Sequence, residues 1–310
     1  MLNSIEINNF KGIKHLKIDK LNKITIIGGK NNCGKTSVLS AIDSFFYSNI
    51  DEYIYDLEDY FYNLNTYDCI SFHGKYSLHN SNKNHKSVEI SKEKYSFTNN
   101  EGEERVFYTT DAKYEPKYTY ISKPYNPELI YFLSTNQLKE YTKAIKQFSE
   151  IFKQKKEHQI IECMQIIEPN IIQVNPIEDN LYIDYSNKEV RLPANLSGEG
   201  LLRLFNLAVA IATSRNGIVL IDEFENGLHW SMLAKVWDFI VKASLEFNCQ
   251  IICTTHSYEL LKYANDVIQN FDEDIDFGYI RLSKKDEDMK AYHFDKESID
   301  DALSSDLEVR

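Results

Sequence analysis

The sequence predicts an α/β fold: a mixed, largely parallel sheet flanked by helices, with an antiparallel β-rich insertion and a helical subregion. Three observations predict it. The chain opens with short alternating runs and then an apolar stretch that ends in glycines and leads directly into a helical pattern. From Leu196 onward, buried apolar runs alternate with helical stretches, the rhythm of a parallel sheet covered by helices. Between these parts, roughly from 50 to 130, several short period-two runs are separated by polar, turn-forming clusters.

Taken in order, IEINNF and HLKIDKL alternate like strands, and KITIIGG is a buried strand with a glycine end. A helix is expected from Gly34 through KTSVLSAIDSFF. The runs CISFHGKYSLH, SVEISKEKYSFT, ERVFYTTD and KYTYISK read as antiparallel strands, and helices are expected at about 136–154 and 157–167. NIIQVNPIEDNLYIDYSNKEV then looks like a hairpin. The second half reads as a helix over about 199–214, a buried strand GIVLID and a helix WSMLAKVWDFIVKASLEF. A second buried strand, QIICTT, leads into a short helix, SYELLKYAN. FGYIRLSKKDEDMKAYHF is expected to form a hairpin before a short final helix. A length of 310 residues suits two units or one large domain with an insertion. The expected division is a core of residues 1–50 and 196–310 and an insertion of 51–195, β-rich over 51–135 and helical with a hairpin over 136–195.

Composition narrows the function classes. Hydrophobic residues make up 43%, enough for a sizeable core. No run approaches the 18 uncharged apolar residues of a membrane span, and MLNSIEINNF lacks the basic and apolar regions of a signal peptide. Cys33, Cys69, Cys163, Cys249 and Cys253 are scattered without a C-x-x-C pair, as expected of free thiols in a reducing cytoplasm and not of a zinc site. The net charge of −12 argues against a surface that grips nucleic acid throughout, since phosphate contacts supply most of that affinity.

The chemistry is carried by four segments. Gly29, Lys30, Asn31, Asn32, Cys33, Gly34, Lys35 and Thr36 fit G-x-x-x-x-G-K-[ST] without a mismatch, and Ser37 follows. Glycines there let successive backbone N–H groups face a phosphate at a helix N-terminus; Lys35 can reach the β- and γ-phosphates, and Thr36 can ligate Mg²⁺. The run IVLI ends in Asp222 and Glu223, where a strand end opens on a ligand crevice. Asp222 is expected to hold Mg²⁺ and Glu223 to orient or deprotonate the attacking water, a contribution of about 10²–10⁴ for a placed general base. The third segment, Leu196-Ser-Gly-Glu-Gly200, opens a helix; the fourth, Thr255-His256-Ser257, follows a buried strand. Taken alone, each of these two also reads as ordinary helix capping and a structural histidine.

The order of all four on one chain resembles the ABC-type ATPases of the RecF, SMC and OLD branch, in particular stand-alone bacterial AAA-labelled ATPases without a TOPRIM domain. The resemblance runs from IEINNFKGIKHLKI and GKNNCGKTS to the stretch between LSGEG and TTHSYELL, and so covers almost the whole chain. It implies an ATPase that converts ATP and water to ADP and phosphate with Mg²⁺. It places Ser197, Gly198 and Glu199 in a signature that meets the γ-phosphate of a second subunit, so that a homodimer sandwiches two ATP molecules. Glu225, Asn226, Gly227 and Leu228 correspond to the loop lining that interface, and His256 to the switch histidine. Lys11 corresponds to a further phosphate contact, and Gln137 to a glutamine that joins Thr36 and Asp222 around the metal. Two residues depart from related patterns: the signature is LSGEG and not LSGGQ, and Trp230 stands where these relatives often carry proline.

The expectation is therefore an ATP-driven switch that controls a separate effector protein, of the kind that serves bacterial antiviral defence. A DNA-binding repair ATPase like RecF stays open as the alternative, and with it nucleic acid as a partner. The lysines of KEYTKAIKQFSEIFKQKKEH interleave with glutamates and read as a solvated face. The acidic runs DEDID and KKDEDMK read as solvated loops.

Overall fold

A computed structural model describes residues 1–46, 69–76, 84–91, 94–98, 104–108, 130–134, 137–178, 180–285 and 288–304. Among them, the central sheet has the order β15-β14-β3-β13-β12-β8. Its strands are β3 (Ile24–Gly29), β8 (Ile130–Leu133), β12 (Ile218–Ile221), β13 (Gln250–Thr254), β14 (Phe277–Lys285) and β15 (Asp288–Asp295). All neighbours are parallel except β14 and β15, which form the expected hairpin. The inner strands β3, β12 and β13 are buried nearly throughout because both faces are covered. Ile24, Ile26, Val219, Ile221, Ile251 and Cys253 join one hydrophobic cluster, while Ile27, Ile218, Leu220 and Ile252 join another on the opposite face.

The first cluster lies under α4 (Glu199–Thr213), α5 (Leu233–Glu246), α6 (Tyr258–Gln269) and α7 (Lys296–Ser304). It also takes in α2 (Gln137–Lys153), α3 (His158–Gln165) and the small sheet of β9 (Ile171–Ile177), β10 (Asn180–Tyr185) and β11 (Leu192–Pro193). The second cluster is filled by α1 (Lys35–Phe46), which runs between the central sheet and a second, antiparallel sheet. Val38, Leu39, Ala41, Ile42, Phe45 and Phe46 are all buried there, so this helix is apolar around most of its girth and not along one stripe.

That second sheet has the order β2-β1-β4-β5-β6-β7 and begins with β1 (Leu2–Phe10) and β2 (Ile13–Ile18). It continues through β4 (Cys69–Tyr76), β5 (Asn84–Ser91), β6 (Lys94–Thr98) and β7 (Glu104–Tyr108). SVEISKEKYSFT, read from sequence as one run, is two strands. Its apolar residues change parity between Ile90 and Tyr95, and the register pairs Ile90 with Tyr95 and Val88 with Phe97 across a hairpin. The run KYTYISK lies outside the described residues. The stretch 51–195 meets the rest of the chain in both large sheets, through β4 on β1 and β8 on β12.

Other differences are local. The expected helix from Trp230 is a 3₁₀ turn, Trp230–Met232, followed by α5, and the helix after QIICTT runs on to Gln269. KKDEDMK is not a free loop: it holds the ends of β14 and β15, with Lys285 paired to Asp288 and Met289 buried. DEDID is a loop with its acidic residues exposed, as expected, and its Asp276 accepts hydrogen bonds from Asn22 Nδ2 at 2.6 Å and from the Lys23 N–H at 3.1 Å, tying this loop to the start of β3. No described helix is long and apolar enough to cross a membrane.

Gln250 joins the two large sheets. Its fully buried amide accepts from the Leu2 N–H at 2.7 Å and donates to the Leu2 and Asn22 carbonyls at 2.8 and 2.9 Å. Gln250→Met keeps the volume but leaves one buried donor and two acceptors without these partners. The unfolding free energy, read from urea titration at unchanged slope, is expected to fall by about 3 kcal/mol.

Candidate functional site

The site forms where β3 and β12, with β13 between them, end beside the N-terminus of α1. β3 finishes at Gly29, whose φ is +141° and whose missing Cβ would lie 2.5 Å from the Leu282 carbonyl oxygen. Only glycine fits there. Lys30 to Gly34 then curl back, with Asn32 at φ +61°, and the Val38 N–H donates to the Gly34 carbonyl at 2.9 Å as the helix begins. Lys35 reaches back over the loop and donates to the Gly29 and Lys30 carbonyls at 2.8 and 3.0 Å. Burial pulls its ammonium below the usual lysine range, opposed by Cys33 and by the carboxylates of Glu223, Glu225 and Asp222. Cys33, buried 3.9 Å from that ammonium, is pushed above the ordinary thiol range by its own burial.

β12 delivers Asp222, which is 4% exposed and held from two sides. Thr36 Oγ1 lies 3.1 and 3.0 Å from its two oxygens, and Thr254 Oγ1, at the end of β13, donates to Oδ1 at 2.7 Å. The same Thr254 hydroxyl accepts the Glu223 N–H at 2.8 Å. From the other side, Arg203 of α4 donates to the Asp222 and Glu223 carbonyls at 2.7 and 3.2 Å and to the Ser134 carbonyl at 3.3 Å.

So pinned, Glu223 adopts φ +46°, a left-handed conformation that costs a non-glycine residue about 1–2 kcal/mol and turns its side chain toward the phosphate loop. Its carboxylate accepts from Asn226 Nδ2 at 2.5 Å and lies 3.4 Å from His256 Nε2. His256 is itself placed by Glu225, which accepts the His256 N–H at 2.8 Å and the Thr255 hydroxyl at 2.9 Å.

These side chains share one groove of about 680 Å³, which brings together Lys11, Asn31, Asn32, Gly34, Lys35, Thr36, Ser37, Glu223 and His256. Lys284 and Met289 line it too. Gly29, Lys30 and the other side of His256 line an adjoining cleft of about 350 Å³. Lys11, at φ +42° in the β1–β2 turn, donates to Ser40 Oγ at 3.2 Å and accepts from Ser37 Oγ at its carbonyl at 3.1 Å. Gln137 opens α2 just beyond β8, and its side chain lies outside the described residues.

The signature is elsewhere. Ser197 and Gly198 line a different cavity, of about 420 Å³, with Gly200, Gly227 and His229. Ser197 Oγ is 3.3 Å from the Tyr185 hydroxyl. A Cβ on Gly200 would lie 2.5 Å from the Gly227 carbonyl oxygen, and one on Gly227, at φ +76°, would lie 3.2 Å from Glu199 Cγ. The start of α4 therefore rests on the loop that follows Glu223, with Leu196 and Trp230 exposed beside it.

A family model described as "AAA domain, putative AbiEii toxin, Type IV TA system" matches residues 24–262. The chain belongs to that AAA family. It is also similar to a Helicobacter pylori protein named "ATP/GTP phosphatase", at 25% identity over 337 residues, covering 88% of this chain and 90% of that protein. The fold is shared with SMC head domains. The Pyrococcus furiosus head bound to the C-terminal domain of ScpA matches with TM-score 0.60 at 12% identity, covering 98% of each chain. The Thermotoga maritima head matches with TM-score 0.54 at 13% identity, covering 94% of this chain and 98% of that one.

Several members of the AAA site escaped the sequence reading. Arg203 left a trace, a lone cation in the apolar helix LLRLFNLAVAIA, and at 6% exposure it needs the carbonyls it holds. Thr254 left none, since a threonine at a strand end is ordinary. Thr254→Val keeps the shape but removes the hydroxyl that supports both Asp222 and Glu223. ATP turnover by the purified variant is expected to drop about 10–100-fold, the scale of losing a hydrogen bond that orients a functional carboxylate.

Proposed function

We propose that this AAA protein binds ATP with Mg²⁺ in the groove under the phosphate loop, hydrolyses it, and closes as a homodimer around two ATP molecules to control a separate effector. The observation that carries this reading is that Glu223 and His256 face the same groove as Lys35 and Thr36, with Asp222 directly behind Thr36. The "ATP/GTP phosphatase" relative supports hydrolysis.

In this reading the loop N–H groups and Lys35 hold the β- and γ-phosphates; Lys35 would exchange two loop carbonyls for phosphate oxygens. Thr36 and Asp222 would hold Mg²⁺. The donor set fits: a hydroxyl and a carboxylate are hard oxygen ligands, and no group of three or more His, Cys, Asp or Glu among the described residues offers a complete protein cage. Such a site suits a metal that shares its shell with substrate oxygens and water. When bound, the metal supplies charge neutralisation at the phosphates. Gln137 is the further ligand that the family resemblance proposes. Glu223 orients and deprotonates the attacking water, and His256, fixed by Glu225, hydrogen-bonds the γ-phosphate end.

Dimerisation completes the site. Ser197, Gly198 and Glu199 belong to a surface away from the chain's own groove, so a second copy is needed to bring them to a nucleotide. The SMC-head fold is consistent with this arrangement. The effector in this reading is a separate protein, in bacterial antiviral defence or in a toxin–antitoxin setting; the family description supports the toxin–antitoxin association.

Glu223→Gln should bind ATP without hydrolysing it, and light scattering with Mg-ATP should then report twice the protomer mass. The same protein without nucleotide should return to the smaller species. A monomer at saturating ATP would sink the sandwich. Lys35→Ala should prevent the shift by removing the phosphate contact.

A further inference from the structure

The phosphate loop, the end of β12 and the β1–β2 turn account for most of the groove, but not for its outer wall. That wall is the β14–β15 hairpin. Lys284 and Met289 are direct cross-strand partners and therefore project from the same face of the hairpin. That face is docked on the site at two points. Met289 is buried, with its Cε 2.6 Å from where a Cβ of Gly34 would stand, so the thioether lies against the first turn of the phosphate-binding helix. Lys284 Nζ donates to the Gly12 carbonyl at 3.2 Å, and both side chains line the groove that holds Lys35 and Thr36.

Hydrogen bonds link this wall to the first turn of α1. Ser37 donates to the Lys11 carbonyl, Gly12 is the next residue, and Gly12 carries Lys284. Glu223 and His256 stand at the γ-phosphate end in the reading above. Ser37 follows Thr36 into the helix, so the path from Ser37 through Lys11 and Gly12 leads toward the end where the α-phosphate and ribose would lie. Among the described residues one neutral carbonyl holds this ammonium, which has two further N–H donors to offer an anion. It is also close enough to Cys33 to act on that thiol's charge.

We infer that Lys284 is a nucleotide ligand contributed by the β14–β15 hairpin, binding the α-phosphate end that ATP and ADP have in common. The inference rests on the nucleotide-site reading and extends it to a strand pair that lies far along the chain from the phosphate-loop motif. Met289 sets the distance: seated on Gly34, it fixes the hairpin so that Lys284 reaches the groove. Because the contact is to a phosphate shared by substrate and product, its loss weakens both alike. A contact at the γ-phosphate would weaken ATP selectively.

The test is equilibrium titration of the full chain with Mg-ADP and with a non-hydrolysable Mg-ATP analogue, comparing the parent, Lys284→Met and Lys284→Arg. Lys284→Met is expected to lose about tenfold in affinity for both nucleotides, the scale of one charge-assisted phosphate contact. Its affinity should depend less on salt than the parent's, and Lys284→Arg should recover most of the loss. Unchanged affinity in Lys284→Met overturns the proposal. So does an equal loss in Lys284→Arg, or a loss matched by a lowered melting temperature, since either marks a packing role. A parent that binds neither nucleotide overturns the nucleotide-site reading and the proposal together.

Discussion

The hydrogen bonds that converge on the Asp222 carboxylate hold the site together. Thr36 stands on α1, Thr254 on β13 and Asp222 directly after β12, so a single buried carboxylate fixes the mutual position of three elements. A carboxylate at 4% exposure is costly without partners, and these hydroxyls make its burial tolerable. The phosphate loop is thereby held against the strand ends, and every other group is placed relative to that joint. Its geometry also sends the two neighbouring carboxylates in different directions. Asp222 continues the strand inward, whereas Glu223 turns left-handed and faces the groove.

The strain at Glu223 is retained because its backbone is held at both ends, by the Thr254 hydroxyl on its N–H and by Arg203 on its carbonyl. Those two side chains come from different elements, so the left-handed turn depends on the assembled sheet and on α4 together. α4 is also the helix that the signature opens, and its first turn rests on Gly227. Displacement of the signature would therefore be felt at Arg203, one helical turn further on, and through it at Glu223. This gives a short physical route between the surface proposed to meet a second copy and the residue proposed to activate water.

The sequence made the phosphate loop legible because its chemistry is local: glycine positions, a lysine and a hydroxyl lie within eight consecutive residues. The buried strands were legible because both faces of the central sheet are covered, which leaves continuous apolar runs such as IVLI and QIIC. What was hidden was non-local. Gln250 is an unremarkable polar residue until its amide is seen to join Leu2 and Asn22, 248 and 228 positions away. Thr254, Arg203 and Asp276 likewise act through partners that no spacing rule connects. SVEISKEKYSFT misled because a parity change in an alternating pattern is a weak signal, easily read through. KKDEDMK misled because charge suggested solvent, while Met289 and Lys284 use the hairpin to face the groove.

A chain with net charge −12 would be a poor host for a polyanion if its charge were spread evenly. The groove itself contains carboxylates, since Glu223 lines it and Asp222 lies just behind Thr36. A triphosphate carries about four negative charges, so binding requires cations within a few ångströms, where screening is weak and local charge outweighs the total. Lys11, Lys35 and Lys284 reach the groove from three separate segments: the β1–β2 turn, the start of α1 and the β14–β15 hairpin. Proteins can accept an unfavourable net charge when the fold gathers cations in this way. Here that gathering requires β14 to lie beside β3, placing residues near 284 next to residues near 12 and 35. The parallel pairing of those two strands is thus a structural step that also shapes the electrostatics of the site.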